Sequence, residues 1–180
     1  MAKQIGYKFI KADWKSKEGN ITWKLNVWQE HKGKIKLCYN GFHACKEPLE
    51  ALEYIYGDRF VIVEYSGKVI HEKGNKFVCS KMRIIKEIPI MILKRFAIQQ
   101  AKNCLTNYEK EYPNDKRCSE VIKASEDYLD NKISLDELNI KISAARSAGS
   151  AARSAARSAA ESARSAANKL LKQMIKEGTK

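Results

Sequence analysis

The chain is predicted to be α+β: a mostly antiparallel N-terminal sheet with one short helix, then a C-terminal helical region ending in a long Ala-rich helix. Short runs before residue 90 alternate apolar and polar side chains with period two. From about Ile92 the spacing of apolar residues becomes helical. Residues 144–167 then read AARSAGSAARSAARSAAESARSAA, low-complexity sequence built on the strongest helix former. The expected division is a β-rich domain over 1–90 and a helical domain over 91–180.

Ile21, Trp23, Leu25 and Val27 alternate with Thr22, Lys24 and Asn26. Ile35, Leu37 and Tyr39 resume the pattern after His31-Lys32-Gly33-Lys34, so 21–39 reads as a hairpin. Asn40-Gly41 is a strong turn signal. Pro48 then opens a short helix over 48–56, with Leu49, Leu52 and Ile55 as its inward stripe. Residues 59–65, 68–71 and 76–88 supply the remaining strands. Helices are expected over about 92–111, 117–130 and 134–177. Tyr112-Pro113-Asn114-Asp115 stops the first of them. Ser134-Leu135-Asp136-Glu137 starts the last as a capping box, and Gly149 is its weak point.

The 180 residues carry a net charge of +13, distributed unevenly. Residues 1–90 and 141–180 each hold a net +7, whereas 91–140 hold −1. Two basic surfaces follow, suited to nucleic acid, anionic lipid or acidic protein, and equally to simple solubility. The first 20 residues lack the uninterrupted apolar stretch of a signal peptide, and no run approaches a membrane span, so no membrane role is expected. Five cysteines without disulfide-like spacing fit a reducing cytoplasm.

On one continuous helix Arg146, Arg153, Arg157 and Arg164 would fall within about 20° of a single direction. They would form a stripe about 27 Å long. These four arginines are the candidate partner-binding residues. The opposite, alanine face would pack closely on neighbouring helices or on a second copy, so a homodimer is one open arrangement. The stripe fits an acidic protein surface. It also fits a phosphate backbone, where it could clamp without reading base identity.

Catalytic chemistry is harder to find. Cys38, His43 and Cys45 in LCYNGFHAC are the best metal cluster, but only three ligands lie together, spaced five and two apart. Cys79 could complete the set after folding. Cys45 with His43 is the one candidate nucleophile pair, with no visible orienting group or oxyanion hole. No phosphate-binding glycine loop and no HExxH occurs. Phe42, His43 and Tyr54, in a segment rich in aromatics, are the candidate ligand-pocket residues. No catalytic residue, metal or cofactor is expected.

LCYNGFHACKEPLEALEYIYG at 37–57, followed by RFVIVEYSGKVI and SKMRIIKEI, resembles a domain of bacteriophage and prophage proteins with no assigned activity. Residues 95–180, with RFAIQQAKNCLTNYEKEYPNDKR, ISLDELN and the trailing AAR repeats, resemble the helical domain of polymorphic-toxin immunity proteins. Together these resemblances imply a non-enzymatic phage or mobile-element accessory protein, an inhibitor, anti-defence or immunity-like factor. It would bind a protein partner in the cytoplasm, that of the host cell if phage-encoded. The alternatives are a nucleic-acid phosphate-backbone binder, and a nucleotide-binding enzyme relic. The latter rests on a short likeness of GFHAC and its following helix to ADP-ribosyltransferase elements.

Overall fold

The computed structural model describes residues 4–18, 21–71, 74–146 and 149–179, with the side chains of the last stretch described from Arg164 onward. The fold is α+β, with an antiparallel N-terminal sheet and helices after it. The chain divides into two compact units. The first comprises Met1–Ile90 together with Leu171–Lys180, and the second Met91–Leu170. The last ten residues thus group with the sheet and not with the helical region in which the sequence reading placed them.

Five strands build the first unit: β1 (Gln4–Ile10), β2 (Gln29–Glu30), β3 (Phe42–Cys45), β4 (Arg59–His71) and β5 (Lys76–Ile88). β1 pairs with β4, β4 with β5, β5 with β3 and β3 with β1, all antiparallel, so the ladder returns to its first strand. β2 adds to β5 through Gln29↔Met82 and Glu30↔Lys81. Closing a ladder removes exposed edges and creates an interior. Ile10, Trp23, Phe42, Val61, Val63, Phe77, Met82 and Ile84 fill that interior. The long strands RFVIVEYSGKVIH and KFVCSKMRIIKEI are rich in β-branched and aromatic residues, which suit a pleated, half-buried surface. Across their shared ladder Glu64 pairs with Arg83, whose guanidinium lies 2.7 Å from the carboxylate.

The expected hairpin over 21–39 does not form. Only Gln29–Glu30 is strand there, with isolated bridges Lys15↔Thr22, Leu25↔Ile84 and Lys36↔Asn40. Asn26 and Cys38 adopt φ of 62° and 63°, left-handed conformations that break an extended run. Trp23 is consequently buried while Leu25 and Val27 face solvent. The short helix also differs from expectation. Pro48–Ala51 (α1) is α-helical, but Leu52–Tyr54 tightens to a 3₁₀ turn. At three residues per turn Pro48, Ala51 and Tyr54 share one face, and Ile55 is turned outward, 60% exposed.

Gly41 occupies the tight return from the 36–40 turn into β3, with φ of +100°. A Cβ there would lie 2.6 Å from Val78 Cγ2 and 3.1 Å from the Cys79 carbonyl oxygen. Gly41→Ala is therefore expected to destabilise the first unit by about 2–3 kcal/mol, combining overpacking with a left-handed alanine. A lowered urea midpoint followed by tryptophan fluorescence would report it, and an unchanged midpoint would contradict it.

The helices are α2 (Ile90–Glu111), α3 (Arg117–Leu129), α4 (Leu135–Arg146) and α5 (Gly149–Gly178). The single helix expected over 134–177 is described as two, α4 and α5, with 147–148 outside the described residues. In the second unit Tyr108 donates to Asp115 Oδ2 at 2.7 Å while Arg117 grips the same carboxylate, fastening the α2–α3 corner. Those donors hold the Asp115 carboxyl well below the usual range, Arg117 contributing most. The capping box at α4 is formed: Ser134 Oγ accepts from the Glu137 amide at 3.2 Å, and Glu137 accepts from the Ser134 amide at 2.8 Å.

Candidate functional site

A cavity of about 360 Å³ opens in the first unit, within the size range of small-molecule sites. β1 contributes Tyr7, Lys8 and Phe9, and the following loop Ser16, Lys17, Glu18 and Ile21. The 38–45 segment contributes Cys38, Tyr39 and Gly41 through Cys45. Ala51, Tyr54 and Tyr56 close another side, with Lys76 at the start of β5. Phe42, His43 and Tyr54, the three candidate pocket residues, therefore line one cavity.

Lys8 is the residue that sequence reasoning missed. In β1 it shares the face of Gly6 and Ile10, and Ile10 belongs to the interior. Its ammonium sits 4.9 Å from the centre of the Trp23 ring. Trp23 is itself fixed by an edge-on contact with Phe42 and by donation from its indole N–H to Ser16 Oγ at 2.8 Å. No carboxylate pairs with Lys8 among the described residues. Burial pushes its ammonium down to about 8, opposed in part by the Cys79 thiol. A lysine without a counter-ion beneath a cavity costs stability, a pattern common where charge serves a ligand.

Lys17 and Lys76 stand at the wall in a different way. Lys17 lies 3.8 Å from the Tyr56 ring centre and Lys76 4.6 Å from that of Tyr54. The two tyrosine rings are 6.2 Å apart. Lys76 also reaches Cys38 Sγ at 3.4 Å. The cavity thus presents cationic and aromatic groups side by side.

His43 is a brace. Its Nε2 accepts from the Cys38 amide at 2.9 Å, which holds Cys38 in its left-handed conformation and places the ring proton on Nδ1. Burial, followed by the Lys76 and Lys8 charges, lowers its pKa, so the imidazole is neutral at neutral pH. Burial pushes the Cys45 thiol up to about 12 and the Cys79 thiol to about 11. A protonated thiol beside an imidazole already committed to an amide does not make an activated nucleophile. Among the described residues no three His, Cys, Asp or Glu side chains are grouped to hold a metal.

Of the four arginines, the structure describes the side chains of two. Arg146 closes α4 and is exposed; Arg164 is exposed on α5. The side chains of Arg153 and Arg157, and most of the alanine face considered for a homodimer, lie outside the described residues.

A family model described as a domain of unknown function (DUF7666) matches residues 4–95. A second, described as Imm-5 like putative immunity protein, matches residues 83–176. The chain belongs to both families. No curated protein and no solved structure matches it. The DUF7666 match contains every residue lining the cavity. The Imm-5 like match contains α2, α3 and α4, and also Leu171 and Ile175 of the first unit.

Within the Imm-5 like region a groove of about 390 Å³ runs between α3 and α4. Ala124, Ile133 and Ile140 give it an apolar floor, and Glu120, Lys123, Asp127, Glu137 and Lys141 a charged rim. Ile140 is 68% exposed and Leu135, nearby on α4, 53%. An apolar floor with a charged rim is the anatomy of a protein contact. Among the described residues no helix is long and apolar enough to cross a membrane.

Proposed function

We propose that the chain is a non-enzymatic binding protein of the immunity type, which seizes a protein partner and silences it. The match of residues 83–176 to the immunity family carries this reading, and it makes a toxin the natural class of partner. The α3–α4 groove with Leu135 and Ile140 supplies the apolar anchor. Arg146, Arg153, Arg157 and Arg164 supply contacts to acidic patches of the partner. The neutral, amide-bonded His43 and the protonated Cys45 favour binding over covalent chemistry. The resemblance of the front region to phage and prophage proteins makes the chain a mobile-element accessory, acting in the cytoplasm of the host.

The test is capture with the tagged full chain from nuclease-treated host lysate, then reconstitution with the isolated partner. The expected result is a stoichiometric complex in which the partner's activity is suppressed, weakened at least about tenfold by Ile140→Asp, the loss of one anchoring contact. Recovery of nucleic acid alone, lost on nuclease treatment, would sink the reading and favour a phosphate-backbone binder.

A further inference from the structure

We propose that the cavity of the first unit binds a small anionic ligand with one planar ring, of the nucleoside-phosphate class. In this arrangement Lys8 and Lys76 take the phosphate, and Tyr54 and Tyr56 take the ring. Nothing in the family descriptions assigns this site.

The wall chemistry selects the ligand. Among the described residues three lysines and one carboxylate, Glu18, line the cavity, while Glu47 acts on Tyr7 and Glu50 and Glu53 act on Cys45 from outside the lining, so the attraction for an anion centres on Lys8. Lys8 projects inward with no carboxylate partner among the described residues, and its ammonium lies 4.9 Å from the centre of the Trp23 ring. A phosphate entering the cavity would give that ammonium the counter-charge that the described residues do not provide. The aromatic groups select the second half of the ligand. Tyr54 and Tyr56, 6.2 Å apart with planes inclined by 53°, already hold Lys76 and Lys17 over their faces. A ring sliding onto either tyrosine exchanges a cation–π contact for stacking and frees an ammonium to turn toward the phosphate. A volume of about 360 Å³ accommodates a single nucleotide and not a strand. The ligand is therefore a free mononucleotide or the terminal nucleotide of a nucleic acid.

Titration of the full chain with the four ribonucleoside monophosphates, monitored by tryptophan fluorescence and calorimetry, tests the proposal. Saturable 1:1 binding of at least one of them is expected, with adenosine alone and inorganic phosphate alone each binding more weakly. A 5′-phosphorylated dinucleotide distinguishes the sources, since tighter binding than the mononucleotide marks a nucleic-acid end. Lys8→Met and Tyr54→Leu should each weaken binding about tenfold or more while circular dichroism shows the fold intact, as expected for loss of a charge-assisted contact or a stacking partner. Absence of binding by every nucleotide at millimolar concentration would overturn the proposal. So would unchanged affinity in both variants. Either failure leaves the partner-binding function of the helical region untouched.

Discussion

Exchanging Lys8 for methionine is expected to stabilise the first unit by about 1–3 kcal/mol at pH 7, an unusual direction for a substitution on an inward-facing strand position. The folded protein holds this ammonium down to about 8 by burial, against an ordinary value of 10.5 in the unfolded chain. A base depressed in this way costs stability wherever it stays charged. The cost is complete below pH 8, shrinks as the pH rises toward 10.5, and is absent above that. The advantage of Lys8→Met should fade across the same window, because the wild-type lysine then sheds its proton on folding. Groups around it are common to both proteins, so their own titration enters both curves alike. Burial holds the Cys79 thiol near 11 and raises Tyr65, and His43 is neutral below the window. The Trp23 ring already recovers part of the cost, and the side chain is only partly desolvated, which places the gain toward the lower end. Urea unfolding of both proteins at pH 7 and pH 10 measures it. Equal stability at pH 7 would show that the ammonium is well solvated.

Leu171→Ala is expected to destabilise the sheet unit by about 2–5 kcal/mol, although the residue lies near the end of α5. Leu171 is fully buried and Ile175 is 3% exposed, and both belong to the unit that contains residues 1–90. Lys172 pairs with Glu47, just ahead of α1, at 2.5 Å. The readout separates the units, because Trp14, Trp23 and Trp28 all lie in the first. The tryptophan-detected transition should shift to lower urea in Leu171→Ala. A shift seen only in the helical signal, with fluorescence unchanged, would refute the assignment of Leu171 to the sheet unit.

Local signals in the sequence were read well where one residue type does one local task. Ser134 and Glu137 form the capping box because their hydrogen bonds span only three residues and need no tertiary partner. Asn40-Gly41 marks a turn because a positive φ is demanded at Gly41. The failures share a different cause. In 21–39 the apolar alternation is present, but the left-handed Asn26 breaks it, and nothing in residue type alone compels that conformation. In β1 a lysine between Tyr7 and Phe9 reads as solvated, whereas closure of the ladder turns the face it shares with Ile10 inward. Leu171 and Ile175 are visibly apolar, yet an amphipathic stripe states that something covers it without naming what.

The grouping of Leu171–Lys180 with the sheet has a consequence for how the chain is made. All five strands are synthesised before Ile90, and their hairpin contacts can form as they emerge. The apolar positions completed by Leu171 and Ile175 must wait about eighty residues longer. A contact across that interval carries a high loop-closure cost and forms late. During the wait the nascent sheet exposes the surface those residues will cover, and transiently exposed apolar surface is what favours aggregation in folding chains. Synthesis of the helical unit therefore sets the earliest moment at which the sheet unit can finish folding.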